Sequence, residues 1–148
     1  MLALIQRVSK GSVTIHSKLH SSIGNGYVIL LGIFKGDTEK DVEKLIPKIL
    51  NLRIMDDEHG VMNTSILETG GEILVVSQFT LCADTQKGRR PSYLNAMRPE
   101  EAKTLYGQFI QKLTSENVSV KTGVFGALME VEIINDGPTT VMLDSEKI

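Results

Sequence analysis

The chain has one cysteine, Cys82, no tryptophan and only 5% aromatic residues. A single thiol excludes an internal disulfide and fits a reducing compartment. Cys82 follows an apolar run, so it reads as a small buried hydrophobe rather than a nucleophile. No stretch approaches the ~20 apolar residues needed to span a bilayer. The opening, Met1 to Arg7, has no charged leader ahead of a long apolar segment, so no secretory signal is expected and the expected location is the cytosol. An excess of one charge is also missing. Lys and Arg total 16 against 18 Asp and Glu, a net charge of −2. The molecule as a whole therefore has no general electrostatic grip on nucleic acid, and any RNA contact needs a local basic patch. Glycine-rich phosphate loops and paired zinc cysteines are absent, so neither a metal nor a cofactor is expected.

What is present suits one ordinary domain: 148 residues, 41% apolar and 23% charged. The chain is organised around Gly70 to Thr85. Ile73, Leu74, Val75 and Val76 form a continuous apolar run, which predicts a strand covered on both faces. That run passes directly into Ser77-Gln78-Phe79-Thr80. Buried polar side chains need partners, since an unpaired one costs about 1–3 kcal/mol. One reading is a strand leaving the core, its hydroxyls bonded to nearby backbone. The other is a functional site.

Leu2–Val8 and Ser12–Ile15 read as two strands hinged at Lys10-Gly11. Tyr27 to Phe34 is a second central strand. Thr38 caps a helix, and Val42, Leu45, Ile46, Ile49 and Leu50 make its apolar stripe. Pro47 lies inside that stripe and predicts a kink or two shorter pieces. Leu52–Met55 is a short strand, Asp56 to Gly60 a solvated turn, and Val61 to Leu67 a short strand and loop. Pro99 opens a second helix whose inner face is Ala102, Leu105, Tyr106, Phe109, Ile110 and Leu113. Val118–Lys121 is extended. From Met129 to Ile133 apolar residues alternate with Glu130 and Glu132. Asn135-Asp136-Gly137-Pro138 interrupts that strand, Thr139–Leu143 resumes it, and the tail from Asp144 frays. About eight strands and two helices give an α+β fold: a mostly antiparallel sheet or partly closed β-barrel, with two main helices packed outside.

Chemistry has few places to reside. His16, His20 and His59 lie in segments that read as exposed, so nothing in the sequence favours a Ser-His-Asp triad. Arg7 reads either as an edge charge or as a guanidinium pinning a backbone carbonyl. Lys87, Arg89 and Arg90 form a basic loop, either solvated or gripping phosphate. Gly137-Pro138 is either a plain turn or, with a cis bond, a loop presenting carbonyls to a ligand.

Ser77-Gln78-Phe79-Thr80, taken with Asn135-Asp136-Gly137-Pro138 and Thr140, resembles the D-aminoacyl-tRNA deacylases. So do Ile5-Gln6-Arg7-Val8, Lys48 through Arg53, Gly71 through Leu81, Lys87 through Ser92, and Gly123 through Met129. The likeness covers essentially the whole chain in register. Thr139 departs from it, standing where the family usually has valine.

The resemblance implies a homodimeric hydrolase that proofreads charged tRNA. Its substrates are the 3′ ends of D-aminoacyl-tRNA and of glycyl-tRNA, including glycine mischarged on tRNA(Ala). It implies that Gly137-Pro138 of one subunit, with a cis bond, enters the other's pocket and meets Ser77, Gln78, Phe79 and Thr80. Arg7 then steadies the loop, and Phe125 and Met129 help bind substrate. L side chains are excluded by main-chain groups occupying the space they need. Thr80 reads either as a nucleophile, for which no activating base is apparent, or, with the backbone near Phe79, as an oxyanion stabiliser while water attacks. The alternatives are a tRNA-binding module without catalysis and a general esterase using Ser77 or Thr80 with a distant histidine.

Overall fold

The computed structural model describes all residues, 1–148. A six-stranded sheet comprises β1 (Leu2–Ile15), β2 (Lys18–Ile23), β3 (Gly26–Gly32), β6 (Glu72–Ser77), β7 (Ser119–Thr122) and β8 (Glu130–Asp144). A separate two-stranded hairpin is made by β4 (Met55–Asp56) and β5 (Met62–Thr64). The helices are α1 (Glu39–Leu50), the short α2 (Ile66–Thr69) and α3 (Pro99–Thr114), with a 3-10 turn at Phe79–Cys82. The α+β expectation and the two main helices hold.

Sheet direction is more mixed than expected. β1 pairs antiparallel with β2, β3 and β8, but β6 pairs parallel with both β3 and β7. Parallel neighbours need crossover connections, and α1 and α3 lie in those connections. Side chains alternate between two cores. Ile5, Tyr27, Ile29, Ile73 and Val75 pack with Leu45, Ile49, Phe109 and Leu113 of the helices. Val8, Val13, Val28, Leu74 and Val76 form a smaller core on the other face. This is why the run at Ile73–Val76 has no polar member: both its faces are buried.

Lys10-Gly11 is not a turn. β1 runs through it, and Gly11 pairs with Ile23 on one side and Ile133 on the other. Glycine is needed there for close packing, since a Cβ would lie 2.5 Å from Val28 Cγ2. The real reversal is His16-Ser17, both with positive φ, +48° and +60°. Pro47 does not divide α1. It sits on the exposed side, where water can satisfy the carbonyl that loses its partner. Helix α2 replaces part of the expected loop. Ser65 and Glu68 form its capping box, and Gly70 ends it with φ +67°. The tail is held at Ser145, which is fully buried and donates from its hydroxyl to Asp41 Oδ1 at 2.8 Å.

Candidate active site

The 3-10 turn is fastened to the end of β3. Gln78 N–H donates to Leu31 O at 2.8 Å, and the Cys82 thiol to Ile33 O at 3.4 Å. A Cβ on Gly32 would fall 2.9 Å from Leu81 Cβ, so only glycine lets the turn lie this close. Burial, with the nearby Asp37 charge, pushes the Cys82 thiol up to about 11, which suits the inert packing role expected of it. The polar residues leave the core as they are met. Ser77 and Gln78 are half-buried, while Phe79 and Thr80 are exposed. Gln78 Nε2 donates to Thr80 Oγ1, leaving the threonine proton free to donate elsewhere. Phe79 and Thr80 open the 3-10 turn, where the first N–H groups have no partner within the helix.

Phe79 is 59% exposed and meets Tyr93 edge-on, ring centroids 5.0 Å apart. Nothing in the sequence singles out Tyr93, which sits among turn formers just after the basic cluster. The basic loop springs from the same place. Asp84 and Ser92 close its neck with two backbone hydrogen bonds of 2.8 Å. Lys87, Arg89 and Arg90 are exposed beyond that neck, none of them in an ion pair.

One strand over, Gly123 N–H donates to Val75 O at 3.0 Å, which seats the Gly123–Phe125 loop beside the end of β6. A Cβ on Gly123 would be 2.6 Å from Met129 Sδ, so Met129 lies against this loop. Phe125 is half-buried, its ring centroid 5.7 Å from that of Tyr106. The Ser77–Thr80 turn and the Gly123–Phe125 loop thus lie at the same end of β6, with the basic loop leading from the turn, while Phe125 packs toward the main core and Met129 toward the smaller one. His16, His20 and His59 are all exposed, and no hydrogen bond joins any of their rings to Ser77 or Thr80.

Arg7 and Gly137-Pro138 form a second constellation. Gln6 pairs with Thr140 and Val8 with Asn135, so Asp136–Thr139 bulge out opposite Arg7. The Gly137-Pro138 bond is cis. Asn135 Nδ2 closes the bulge by donating to Arg7 O at 2.9 Å and Thr139 O at 3.0 Å. The Arg7 side chain is buried, as the carbonyl-pinning reading requires. It donates to Ile54 O at 2.9 Å and Asp136 O at 3.4 Å, and it pairs with the carboxylates of Asp56 (2.6 Å) and Asp136 (3.0 Å). A cavity of about 460 Å³ opens here among Arg7, Asp56, Asp136, Asn25 and Gly70.

Within one chain the two constellations do not meet. Arg7 is level with Tyr27 and Ile73, and Ser77 lies four residues further along β6. From β8 to β6 is three strand spacings. At about 3.3 Å per residue and about 4.8 Å per strand, the bulge and Ser77 are roughly 20 Å apart.

A family model described as D-Tyr-tRNA(Tyr) deacylase matches residues 4–144. The chain belongs to that family. A relative from a Nitratiruptor species, named D-aminoacyl-tRNA deacylase, is 55% identical over 148 residues and covers 100% of both chains. The protein of that name from Aquifex aeolicus is 52% identical, again with 100% of both chains covered. A solved structure described as c-Myc DNA Unwinding Element Binding Protein has a TM-score of 0.92 at 43% identity, covering 97% of this chain and 98% of that one. Another, described as a probable eukaryotic D-amino acid tRNA deacylase, shares the fold, with a TM-score of 0.82 at 17% identity and 96% and 97% coverage. The deacylase match spans both constellations, from Arg7 through Thr80 to Pro138. No helix is long and apolar enough to cross a membrane.

Proposed function

We propose that this chain hydrolyses the ester linking a D-amino acid to the terminal ribose of tRNA, releasing the amino acid and tRNA in the cytosol. Glycyl-tRNA, including glycine mischarged on tRNA(Ala), is a second substrate. The observation that carries the reading is the family match across residues 4–144, with its relatives named D-aminoacyl-tRNA deacylase.

The active unit in this proposal is a homodimer. The bulge at Gly137-Pro138 and the turn at Ser77–Thr80 sit roughly 20 Å apart in one subunit. A second copy can bring one subunit's bulge to the other's turn. β8 supports this, because it pairs only with β1 and leaves its outer edge free along 15 residues. Main-chain groups of the bulge then fill the side of the pocket toward which an L substituent points. A D substituent points elsewhere and glycine has none, so discrimination needs no contact with the side chain.

Water attacks the ester carbonyl carbon in this scheme. The carbonyl oxygen gains negative charge, which the Thr80 hydroxyl and the free N–H groups at Phe79 and Thr80 stabilise. The ester C–O bond then breaks, and the ribose oxygen leaves with a proton. A nucleophilic Thr80 would need a base to take its proton, and its side-chain partner is the amide of Gln78, which donates. The neighbouring ribose 2′-hydroxyl is the group left to relay the proton. Lys87, Arg89 and Arg90 take the tRNA phosphates, while Phe79, Phe125 and Met129 line the aminoacyl-adenosine site.

The test is release of amino acid from D-tyrosyl-, L-tyrosyl- and glycyl-tRNA by purified protein, with sedimentation to establish the assembly. Cleavage of the D and glycyl esters with the L ester spared supports the reading. Equal cleavage of both enantiomers defeats its stereochemical part. Nucleic-acid binding without cleavage is the second reading. The exposed basic loop favours it, as does the 43%-identical structure whose description names a DNA element binding protein. It gives salt-sensitive binding and no ester turnover.

A further inference from the structure

We infer that the β4–β5 hairpin is a buttress for the Gly137-Pro138 bulge, and that Asp56 and Met62 are positioning residues for chiral selectivity. This rests on the deacylase reading above.

The hairpin is set apart from the main sheet, and a lone two-stranded hairpin is marginal in water. This one is heavily cross-braced. Asp57 Oδ1 accepts from the N–H groups of His59 (2.9 Å) and Val61 (3.1 Å), and Asp57 Oδ2 accepts from Asn63 Nδ2 at 3.2 Å. Those bonds, the one from Val61 foremost, hold the Asp57 carboxyl below its usual range. The Arg53 guanidinium donates to Asn63 O at 2.6 Å and to its side-chain amide oxygen. Thr64 Oγ1 donates to Met55 O at 3.0 Å. Ile54 and Met55 anchor the base in the main core.

This braced element touches the bulge by two independent routes. At its base, Asp56 Oδ1 accepts a hydrogen bond from Arg7 Nη1 at 2.6 Å, and Arg7 Nε reaches Asp136 Oδ2 at 3.0 Å. At its far strand, Met62 Sδ accepts from Thr139 Oγ1 at 3.7 Å. The contacts fall on either side of Gly137-Pro138. A guanidinium is a planar fork with fixed donor directions, so the carboxylate on one arm sets where the other arm points. Without Asp56, Arg7 keeps only the Ile54 carbonyl at the hairpin base, one acceptor in place of two, and the bulge can drift. Thr139, where the resemblance leads one to expect valine, supplies the hydroxyl that the second route needs.

The experiment compares wild type with Asp56→Asn and Met62→Ala. Asp56 is exposed, and Met62 is 54% exposed and outside both cores, so Met62→Ala keeps the test open should Asp56→Asn fold poorly. The readout is the ratio of kcat/KM for D-tyrosyl- over L-tyrosyl-tRNA. A misfolded fraction scales both terms equally, so a merely structural role leaves this ratio unmoved. Amide exchange across residues 135–140 is followed in parallel. The proposal expects the ratio to fall about tenfold, through faster cleavage of the L ester, and exchange to quicken in both variants. Asp56→Glu should recover part of the ratio. An unchanged ratio overturns the selectivity role, and unchanged exchange overturns the buttress. If wild type itself cleaves neither ester, the deacylase reading fails, and quickened exchange still establishes the buttress.

Discussion

Gly137 lies against Arg7: a Cβ added to the glycine would stand 3.1 Å from Arg7 Nη2, and 2.5 Å from Thr139 Oγ1. Its φ is +115°, a region that L residues avoid. The bulge therefore depends on glycine for its shape and on the arginine for its support.

Gly137→Ala should accordingly move the bulge rather than fit into it. Backbone strain of this kind costs about 1–3 kcal/mol, which in a chain of this length lowers Tm by a few degrees. Selectivity should suffer more than stability. The expected result is a fall of at least about tenfold in the D-over-L ratio of kcat/KM. Deacylation kinetics and a thermal melt on the same sample test both parts. A normal ratio would remove the bulge from the substrate pocket.

Thr80→Val tests whether the hydroxyl attacks or assists. The change keeps shape and removes one donor, while the backbone N–H groups at Phe79 and Thr80 remain. Loss of one oxyanion donor costs about 10²–10³ in kcat, so residual turnover should be measurable and the D preference retained. Single-turnover assays with mass spectrometry should show no acyl-enzyme in wild type. A trapped ester on Thr80 would make it the nucleophile.

Much of this was legible in the sequence because the signals are local. The spacing of Val42, Leu45, Ile46 and Ile49 places one face of α1 in the core, where all four are buried. Ser77–Thr80 stood out because polar residues follow directly on a strand with no wet face. Other features depend on distant neighbours. Ile73–Val76 announces double burial but cannot say that β3 and β7 run parallel to it. Lys10-Gly11 has the composition of a turn, yet Gly11 is glycine because of Val28 across the core. The Arg7–Asp56 pair joins residues 49 apart in sequence, and nothing near either residue signals it. The Ser65-x-x-Glu68 box that opens α2 is a readable helix signal, against the short strand and loop expected over Val61–Leu67.

Cys82 predicts an alkaline weakness. Burial first, and the Asp37 charge second, raise its thiol from 9.0 to about 11. Above pH 9 the unfolded chain loses this proton while the native chain keeps it. The native state then binds more protons than the unfolded one, so stability falls as pH rises. The contribution is intact below pH 9 and lost progressively toward about 11. Melts between pH 8 and about pH 10.5 should show a steeper decline in wild type than in Cys82→Ala, even though the variant starts lower for loss of packing. Parallel slopes would mean that the thiol does not titrate differently on folding. Buried Tyr27 and Tyr106, whose hydroxyls are also raised by burial, are common to both proteins and cancel in the comparison.

The basic loop should act on binding and not on chemistry. Lys87, Arg89 and Arg90 are exposed and unpaired beyond the Asp84–Ser92 neck, so replacing all three with alanine removes charge without opening the core. If each meets one phosphate of a single-stranded end, the slope of log K against log salt should lessen by about 0.7 per contact, or about 2 in total. KM for D-tyrosyl-tRNA should rise while kcat and the D-over-L ratio stay near wild type, because phosphate contacts position a nucleic acid without reading the ester. The ratio is the discriminating measurement. If it fell with the charges, the loop would belong to the stereochemical pocket, and the division between a gripping loop at Lys87–Arg90 and a selecting bulge at Gly137-Pro138 would be wrong.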